Sequence, residues 1–147
     1  MNGKMSSKML SYAKLFRDMY DDMIEKRAQE CGISKQEADV LLFFGNNSEF
    51  DRACDAVIYR GFSKAYVSKA LAILSKRGLV TVFNDSHDKR YQRIVINDSA
   101  NVFLDSLRDA QNEFFSCLSE GISNEEFLTH IKVIDKIAYN NINRMKG

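Results

Sequence analysis

The sequence predicts a mainly α-helical protein of six helices with one small β-hairpin. Apolar residues recur at helical spacing along most of the 147 residues, and the chain has no proline to interrupt long helices. Two Ser-x-x-Glu segments, which begin at Ser34 and Ser123, are capping boxes of the kind that open helices. One stretch after Gly78 is rich in β-formers, passes through a charged turn and returns as a second β-rich stretch.

Glycines and polar segments divide the chain into the predicted elements. Glycine is favoured just beyond a helix end, where a left-handed backbone is needed. Four glycines follow apolar helical patterns in this way: Gly32, Gly45, Gly78 and Gly121. The predicted helices then cover residues 8–30, 34–44, 51–59, 63–77, 98–120 and the segment that begins at 123. We expect the polar connection over residues 46–50 to contribute a minimal strand at the base of the hairpin.

Residues 63–97 are the most informative stretch. Ser63 is a good N-cap, because its hydroxyl can accept a hydrogen bond from a free amide of the first turn. The helix that follows has one apolar face, made of Val67, Ala70, Leu71 and Leu74. Strands are predicted over residues 79–83 and 91–96, on either side of the charged turn. With the short helix before residue 60, this order predicts a winged helix–turn–helix, in which a helix enters a DNA groove and the hairpin, or wing, lies against the backbone.

Basic residues are concentrated in the middle of a nearly neutral chain. Between residues 52 and 97 there are nine Lys and Arg against three Asp, a net charge of +6. The rest of the chain has twelve cations and seventeen acids, a net charge of −5. Because phosphate neutralisation supplies most non-specific DNA affinity, a localised basic patch is more informative than the overall charge. The distribution disfavours the alternative interpretation, in which the helix is simply a solvated surface.

Three short motifs follow one another with consistent spacing in this stretch. They are Val67-Ser68-Lys69 with Leu71 and Leu74, then Lys76-Arg77-Gly78-Leu79-Val80, then Asp88-x-Arg90 with Ile94-x-Ile96-Asn97. Together they resemble the MarR family of winged helix–turn–helix transcription regulators, and the length and order of elements agree over essentially the whole chain. The family usually has Arg in place of Lys69 and Thr in place of Asn97. Lys69 can bind a phosphate but cannot form the forked contact with guanine that Arg makes, and Asn97 can still cap the next helix.

The resemblance and the charge pattern imply contacts with double-stranded DNA from two places. The first turns of the fourth helix are expected to lie in the major groove, and the wing is expected to reach the minor groove or its flanking phosphates. The expected contact residues are Ser63, Lys64, Ala65, Tyr66, Ser68, Lys69, Asp88, Lys89, Arg90 and Arg93. Two interpretations of Tyr66 stay open, a contact with a thymine methyl or a sugar, and a place on the domain surface. Asp88 is expected to pair with an Arg and to set the shape of the wing.

The terminal helices have broad apolar faces, which a small DNA-binding module cannot cover alone. We expect a single domain over residues 1–147, with dimerisation helices in residues 1–33 and 98–147 and a DNA-binding module in residues 34–97. Packing of those faces within one chain is the alternative. The resemblance implies a homodimer, most simply a repressor, that binds a pseudo-palindromic operator. Its recognition helices would lie roughly 34–36 Å apart, one turn of DNA.

Aromatic residues near the expected junction of these regions are candidates for binding a small aromatic effector, since members of the family often bind such ligands there. The candidates are Tyr12, Phe16, Tyr20, Phe43 and Phe44. The alternative is that these rings only fill the core. Neither the effector nor the operator sequence can be derived from the residues.

Enzymatic, metal-binding and membrane functions find little support in the sequence. It has no Gly-rich phosphate loop, no nucleophile motif and no metal-ligand spacing around its two histidines, so we expect neither enzyme activity nor a cofactor or metal. No apolar run is long enough to span a membrane, and residues 1–5 lack a signal core.

The three cysteines, Cys31, Cys54 and Cys117, are widely spaced and odd in number, which favours free, inert thiols in a reducing compartment. We therefore expect a protein of the bacterial or archaeal cytoplasm, located on the nucleoid. Two alternative functions stay open. One is a winged-helix module that binds proteins and not DNA, and the other is an oxidant- or metal-responsive regulator of the same family.

Overall fold

The structure, a computed structural model, describes residues 3–145. Within that range six helices and one hairpin follow one another: α1 (Gly3–Glu30), α2 (Lys35–Asn46), α3 (Ala53–Arg60), α4 (Lys64–Lys76), β1 (Val80–Asn84), β2 (Gln92–Ile96), α5 (Asn101–Leu118) and α6 (Asn124–Met145). The predicted fold class, mainly α with a small hairpin, is confirmed. In the described range no helix is both long and apolar enough to cross a membrane. The predicted terminal regions also include residues 1, 2, 146 and 147, which lie outside the described residues.

Three predicted helix starts are confirmed by their caps. The Ser34 hydroxyl accepts from the Glu37 amide at 3.1 Å, and the Glu37 carboxylate accepts from the Ser34 amide at 2.9 Å. Ser123 forms the same reciprocal capping box with Glu126 at the start of α6. The Ser63 hydroxyl accepts from the Tyr66 amide at 3.1 Å and opens α4. Each cap satisfies amides that the first helical turn leaves without a partner.

Some predicted boundaries were wrong by a few residues. α1 begins at Gly3, five residues before the predicted start, and α5 begins at Asn101 after a single 3₁₀ turn, Asp98–Ala100. The minimal strand expected over residues 46–50 is instead one bridge between Arg52 and Arg93. The wing contacts the segment before α3 at this point, because the Ile94 amide donates to the Asp51 carbonyl at 2.7 Å.

Gly45 does not end α2, contrary to the prediction. The helix continues to Asn46, and a Cβ atom at Gly45 would lie 2.5 Å from Leu104 Cδ2. This glycine therefore allows α5 to pack closely against α2. Arg108 of α5 completes the junction, since its guanidinium donates to the Gly45 carbonyl at 2.6 Å and to Asn46 Oδ1 at 2.9 Å.

The Asn97 side chain does not cap the helix that follows it, although its residue type allows that. Its side chain lies across the start of the wing, where Nδ2 donates to the Gly78 carbonyl and Oδ1 accepts from the Thr81 hydroxyl, both at 2.9 Å. Gly78 has a φ of +72° just after α4, as expected for a helix-ending glycine. Asn97 thus fixes the turn between α4 and the wing.

The hydrophobic core joins the helices that hold α4 in place. Leu41 of α2, Val67 and Leu74 of α4, Leu79 and Ile94 are all at most 5% exposed. The predicted apolar face of α4 is buried as a whole, including Ala70 and Leu71. The two strands pair antiparallel with Val80 opposite Ile96 and Asn84 opposite Gln92.

The chain divides into two compact units, Met1–Asn112 and Glu113–Gly147. The first contains the core cluster, the four helices α1 to α4 and the wing. The second contains the end of α5 and all of α6. Every residue from 124 to 141 is exposed in the single chain, although this stretch includes apolar residues at helical spacing: Phe127, Ile131, Ile134 and Ile137.

Candidate nucleic-acid interface

The outer face of α4 is polar and exposed to solvent. Ser63, Lys64, Ala65, Ser68 and Lys69 are all exposed, whereas the opposite face of the helix is in the core. Ser63 places its cap at the N-terminal end, where helical amides and the macrodipole favour anions. This face brings together five of the ten residues expected to contact DNA.

The cations of the basic stretch differ in their surroundings. Within residues 3–145, the lysines Lys64, Lys69 and Lys89 are exposed and have no carboxylate partner. Two arginines instead tie the structure together. Arg77 pairs with the nearly buried Glu37 at 3.0 Å, and Arg93 pairs with carboxylates at the base of the wing. Arg77 and Arg93 are therefore less available to a phosphate than the exposed lysines.

Arg90 extends from the tip of the wing. Its side chain is 85% exposed, and its guanidinium donates to Asp88 through Nε at 3.0 Å and Nη2 at 2.7 Å. The two hydrogen bonds lower the pKa of Asp88 and raise that of Arg90. Asp88 also accepts from the Arg90 amide at 3.1 Å, so it shapes the turn while it orients the guanidinium.

Asp85 organises the wing and was not predicted as a site residue. Its carboxylate is 7% exposed and accepts from the amides of Asp88 at 2.9 Å and His87 at 2.8 Å. It also accepts from Arg93 Nε at 2.5 Å. The pKa of Asp85 lies well below its ordinary value. The hydrogen bond from the Asp88 amide is the largest cause, and those from Arg93 and the His87 amide come next. An Asp followed by polar turn residues, as in Asn84-Asp85-Ser86, was the available sequence signal for this turn.

Arg93 lies between the wing and the connection before α3. Its guanidinium donates to Asp85 on one side and to Asp51 on the other, and its side chain is 28% exposed. The two carboxylates raise the pKa of Arg93. Nearby, the Arg52 guanidinium stacks 4.6 Å from the centre of the Tyr91 ring. These contacts fix the wing relative to the helix–turn–helix.

A groove of about 510 Å³ separates α4 from the wing. Lys64 and Ser68 line it on the α4 side, and Arg90, Tyr91 and Gln92 line it on the wing side. Its floor is apolar and comes from α3, through Ala53, Cys54, Val57 and Ile58. The fold thus brings three of the ten predicted contact residues, Lys64, Ser68 and Arg90, to the edges of one groove.

No protein-family model matches the chain, and no curated protein matches it in sequence. Solved structures do match. A MarR protein from Peptoclostridium difficile has a TM-score of 0.81 at 18% identity, covering 98% of this chain and 94% of that one. A MarR-family regulator from Silicibacter pomeroyi has a TM-score of 0.77 at 19% identity, covering 88% and 86%. A MarR regulator from Methanosarcina mazei has a TM-score of 0.75 at 15% identity, covering 95% and 98%.

The chain has the fold of the MarR-family regulators. The resemblance that the sequence motifs suggested is therefore confirmed at the level of the fold. Identities of 15–19% carry the likeness no further than that.

Tyr66 occupies a position in this MarR fold that neither sequence interpretation described. Its hydroxyl donates to the Oδ2 atom of buried Asp39 at 2.8 Å, and its ring centre lies 5.1 Å from that of Phe62. Burial, together with the Asp39 hydrogen bond, raises the pKa of Tyr66. The side chain is half-buried and connects α4 to α2.

The aromatic residues considered for an effector site are not all in one place. Phe43 and Phe44 are 6% and 5% exposed in the core, and Tyr12 is 58% exposed on α1. Phe16 and Tyr20 line a cavity of about 530 Å³, together with Ala13, Lys14, Arg17, Asp21 and Arg60. The cavity and the core rings are therefore separate features.

The cysteines occupy different environments. Cys54 lies on the floor of the groove between α4 and the wing, and Cys117 is exposed on α5. Cys31 is half-buried, with its Sγ 3.3 Å from the Ser106 hydroxyl. Among residues 3–145 no three His, Cys, Asp or Glu side chains form a group suited to a metal ion.

Proposed function

We propose that this protein is a transcription regulator that binds double-stranded DNA. The observation that carries the proposal is the outer face of α4, where exposed lysines without acidic partners stand beside the wing-tip Arg90. In a winged helix–turn–helix, the second helix of the motif lies in the major groove and the wing reaches the adjacent backbone or minor groove. Ser63, Lys64, Ala65, Ser68 and Lys69 are the proposed contacts of the helix.

In the wing we assign DNA contact to Lys89 and Arg90, with Asp88 orienting the arginine. Arg93 is better assigned to support, because both sides of its guanidinium already bind carboxylates. By the same argument we assign Tyr66 to the support of α4 and not to DNA contact, since its hydroxyl donates a hydrogen bond to Asp39.

The proposed active species is a homodimer. α6 exposes its apolar residues over positions 124–141, and α1 exposes Met9, Leu10, Leu15 and Met19 to at least 50% in the single chain. Isolated helices with unpartnered apolar stripes are marginal in water and gain most of their stability from packing. A second copy supplies matching stripes, and its two-fold symmetry suits a pseudo-palindromic operator.

The simplest mode of action for such a dimer is repression in the cytoplasm by occupancy of an operator. A small aromatic effector is proposed to bind the cavity beside Phe16 and Tyr20, where Arg17 and Arg60 could receive an anionic group. Such a ligand acts if it binds one separation of the recognition helices more tightly than another.

Selection of bound sequences from random duplex DNA tests the proposal. We expect an enriched site with two-fold symmetry and half-sites about one turn, roughly 10 base pairs, apart. A triple variant that replaces Lys64, Lys69 and Arg90 by Ala is the matched control, because all three side chains are exposed and none lies in the core. If the parent enriches no sequence, or if the triple variant enriches the same one equally well, the proposal is wrong.

A further inference from the structure

Four polar side chains form a continuous chain of contacts from α1 to the first turns of α4. They are Asp21, Lys35, Asp39 and Tyr66. Asp21 of α1 lies 3.1 Å from Lys35 Nζ, and Lys35 Nζ lies 2.5 Å from Oδ2 of Asp39 on α2. The same Oδ2 accepts the Tyr66 hydroxyl at 2.8 Å. All four residues belong to the first compact unit, so the chain of contacts runs within one body.

Asp39 makes an unfavourable contribution to the free energy of folding at this position. Its side chain is 4% exposed, and among the described residues its Oδ1 is a buried oxygen without a hydrogen-bond partner. A buried carboxylate oxygen that lacks a partner opposes folding, and apolar replacements of buried ionic groups are often neutral or stabilising. Packing alone therefore does not account for an aspartate here, whereas a need to fix one arrangement of two helices does.

Tyr66 transmits that arrangement to the face of α4 that we assign to DNA. The Tyr66 carbonyl accepts from Gln36 Nε2 at 2.8 Å, so α2 holds both the backbone and the side chain of this residue. Its immediate neighbour Ala65 and the following Ser68 and Lys69 point outward. A small change in the hold on Tyr66 therefore moves the proposed contacts together.

We propose that Asp39 is a positioning residue that sets the placement of α4 on DNA through Tyr66, and that Lys35 and Asp21 extend this link to α1. The inference rests on the proposed DNA-binding function. It also connects that function to the cavity on α1, because Asp21 lines the cavity and is the first member of the chain of contacts.

The link from α1 to Tyr66 can be measured without DNA. The protein has six tyrosines, so incorporation of 3-fluorotyrosine gives six fluorine resonances, and the Tyr66→Phe variant identifies the one that belongs to Tyr66. We expect Asp21→Asn to shift this resonance. Asp18→Asn is the matched control on the same helix, since Asp18 pairs with Lys14 and lies outside the chain of contacts. An unchanged Tyr66 resonance in Asp21→Asn overturns the link.

The effect on DNA is measured with the best duplex from the selection experiment. Tyr66→Phe keeps the ring beside Phe62, and Asp39→Asn keeps the size of the side chain, so both variants should fold. Each should bind about tenfold more weakly, because Tyr66→Phe removes the hydrogen bond to Asp39 and Asp39→Asn removes the negative charge that strengthens it. The salt dependence should match that of the parent, because no phosphate contact is removed.

The two variants also distinguish positioning from direct base contact. If Tyr66 touches a base, Tyr66→Phe changes the preferred sequence and Asp39→Asn does not, which overturns the proposal. Parent-like affinity in both variants overturns it as well. If the parent protein binds no duplex, the proposed function is wrong, and Asp39 has no positioning role on DNA. A shift of the Tyr66 resonance in Asp21→Asn would then still show that the chain of contacts exists, but with a role other than DNA binding.

Discussion

Arg93 and the exposed lysines of α4 have different surroundings in the basic stretch, for a reason of geometry. The arginine fork binds carboxylates at two points, as Arg93 does between Asp51 and Asp85, and it fixes elements in place. The lysine ammonium is a compact, strongly hydrated charge, and Lys64 and Lys69 extend from α4 into solvent. Arg90 combines both properties, because it is held by Asp88 and is yet 85% exposed.

Replacing Arg90 by Ala should weaken binding to every duplex, whatever its sequence. The loss of one phosphate contact lowers the slope of log affinity against log salt by about 0.9. The unpaired Asp88 would then also repel the DNA backbone. Fluorescence anisotropy over a range of salt concentrations measures both quantities.

Lys132→Ala on α6 is the control for Arg90→Ala, since it removes the same charge outside the basic stretch. It should leave the salt slope unchanged. An Arg90→Ala protein with the salt slope of the parent would show that the wing does not contact phosphate.

Asp85 gives the wing a defined dependence on pH. Its folded pKa lies below the ordinary value of 3.8, so the ionised form stabilises the folded state. This contribution is complete above about pH 5 and is lost as the pH falls through and below the unfolded value. Urea unfolding should therefore show Asp85→Asn less stable than the parent at pH 7, with a difference that shrinks on acidification.

Asp109→Asn, a change of an exposed aspartate on α5, is the matched control for the acid titration. At pH 7 it should unfold at the urea concentration of the parent. A difference between Asp85→Asn and the parent that stays constant from pH 7 to about pH 2 would contradict the assignment of the wing charge network to Asp85.

The local elements were predictable because their signals lie within a few residues. Ser63 and its bonded amide at Tyr66 are three positions apart, and so are both partners of each capping box. The support network was not predictable in this way. Tyr66 meets Asp39 across 27 positions and Arg93 meets Asp51 across 42, so only the folded chain brings these partners together.

Gly45 shows the same limit within one helix. The sequence favours glycine as a helix end, and nothing local reveals that Leu104, 59 positions later, occupies the space beside it. Gly45→Ala should raise helix propensity by about 0.5–1 kcal/mol. The collision of its Cβ with Leu104 should cost about 1–3 kcal/mol, so we expect net destabilisation. Urea unfolding measures the difference.

The Leu104→Ala background separates the two contributions at Gly45. It costs about 2–5 kcal/mol by itself, because it opens a cavity in the core. Within that background Gly45→Ala should become neutral or stabilising, since the added methyl finds space. An equal cost of Gly45→Ala in both backgrounds would show that the close approach of α5 is not the reason for the glycine.

At the scale of the whole molecule, the exposed apolar faces should determine assembly. Replacing Ile131 and Ile134 of α6 by Glu should convert a dimer into a monomer, because both side chains are more than 40% exposed in the single chain and lie outside its buried core. Operator affinity should fall at least 100-fold, since the second half-site no longer benefits from linkage to the first. Light scattering and anisotropy measure the two effects.

Lys132→Glu tests whether charge alone disrupts assembly, since it lies on the same helix between the two isoleucines. It should remain dimeric. A parent that is a stable monomer at micromolar concentration would contradict the proposed homodimer.

Regulation of the proposed dimer by a ligand requires that the ligand distinguish two placements of α4. The cavity beside Phe16, Tyr20 and Arg60 adjoins Asp21, so a bound aromatic carboxylate would act next to the chain of contacts that ends at Tyr66. A coupling free energy of about 1–3 kcal/mol would release DNA 5- to 150-fold more readily, which is enough for a switch.

Titration of aromatic carboxylates into a preformed operator complex measures this release. The same titration in Phe16→Ala should require more ligand, and a variant with Ser at all three cysteine positions should respond as the parent does. Release by oxidants in the parent alone would instead assign the switch to a thiol, and release by neither would describe a regulator governed by its own abundance.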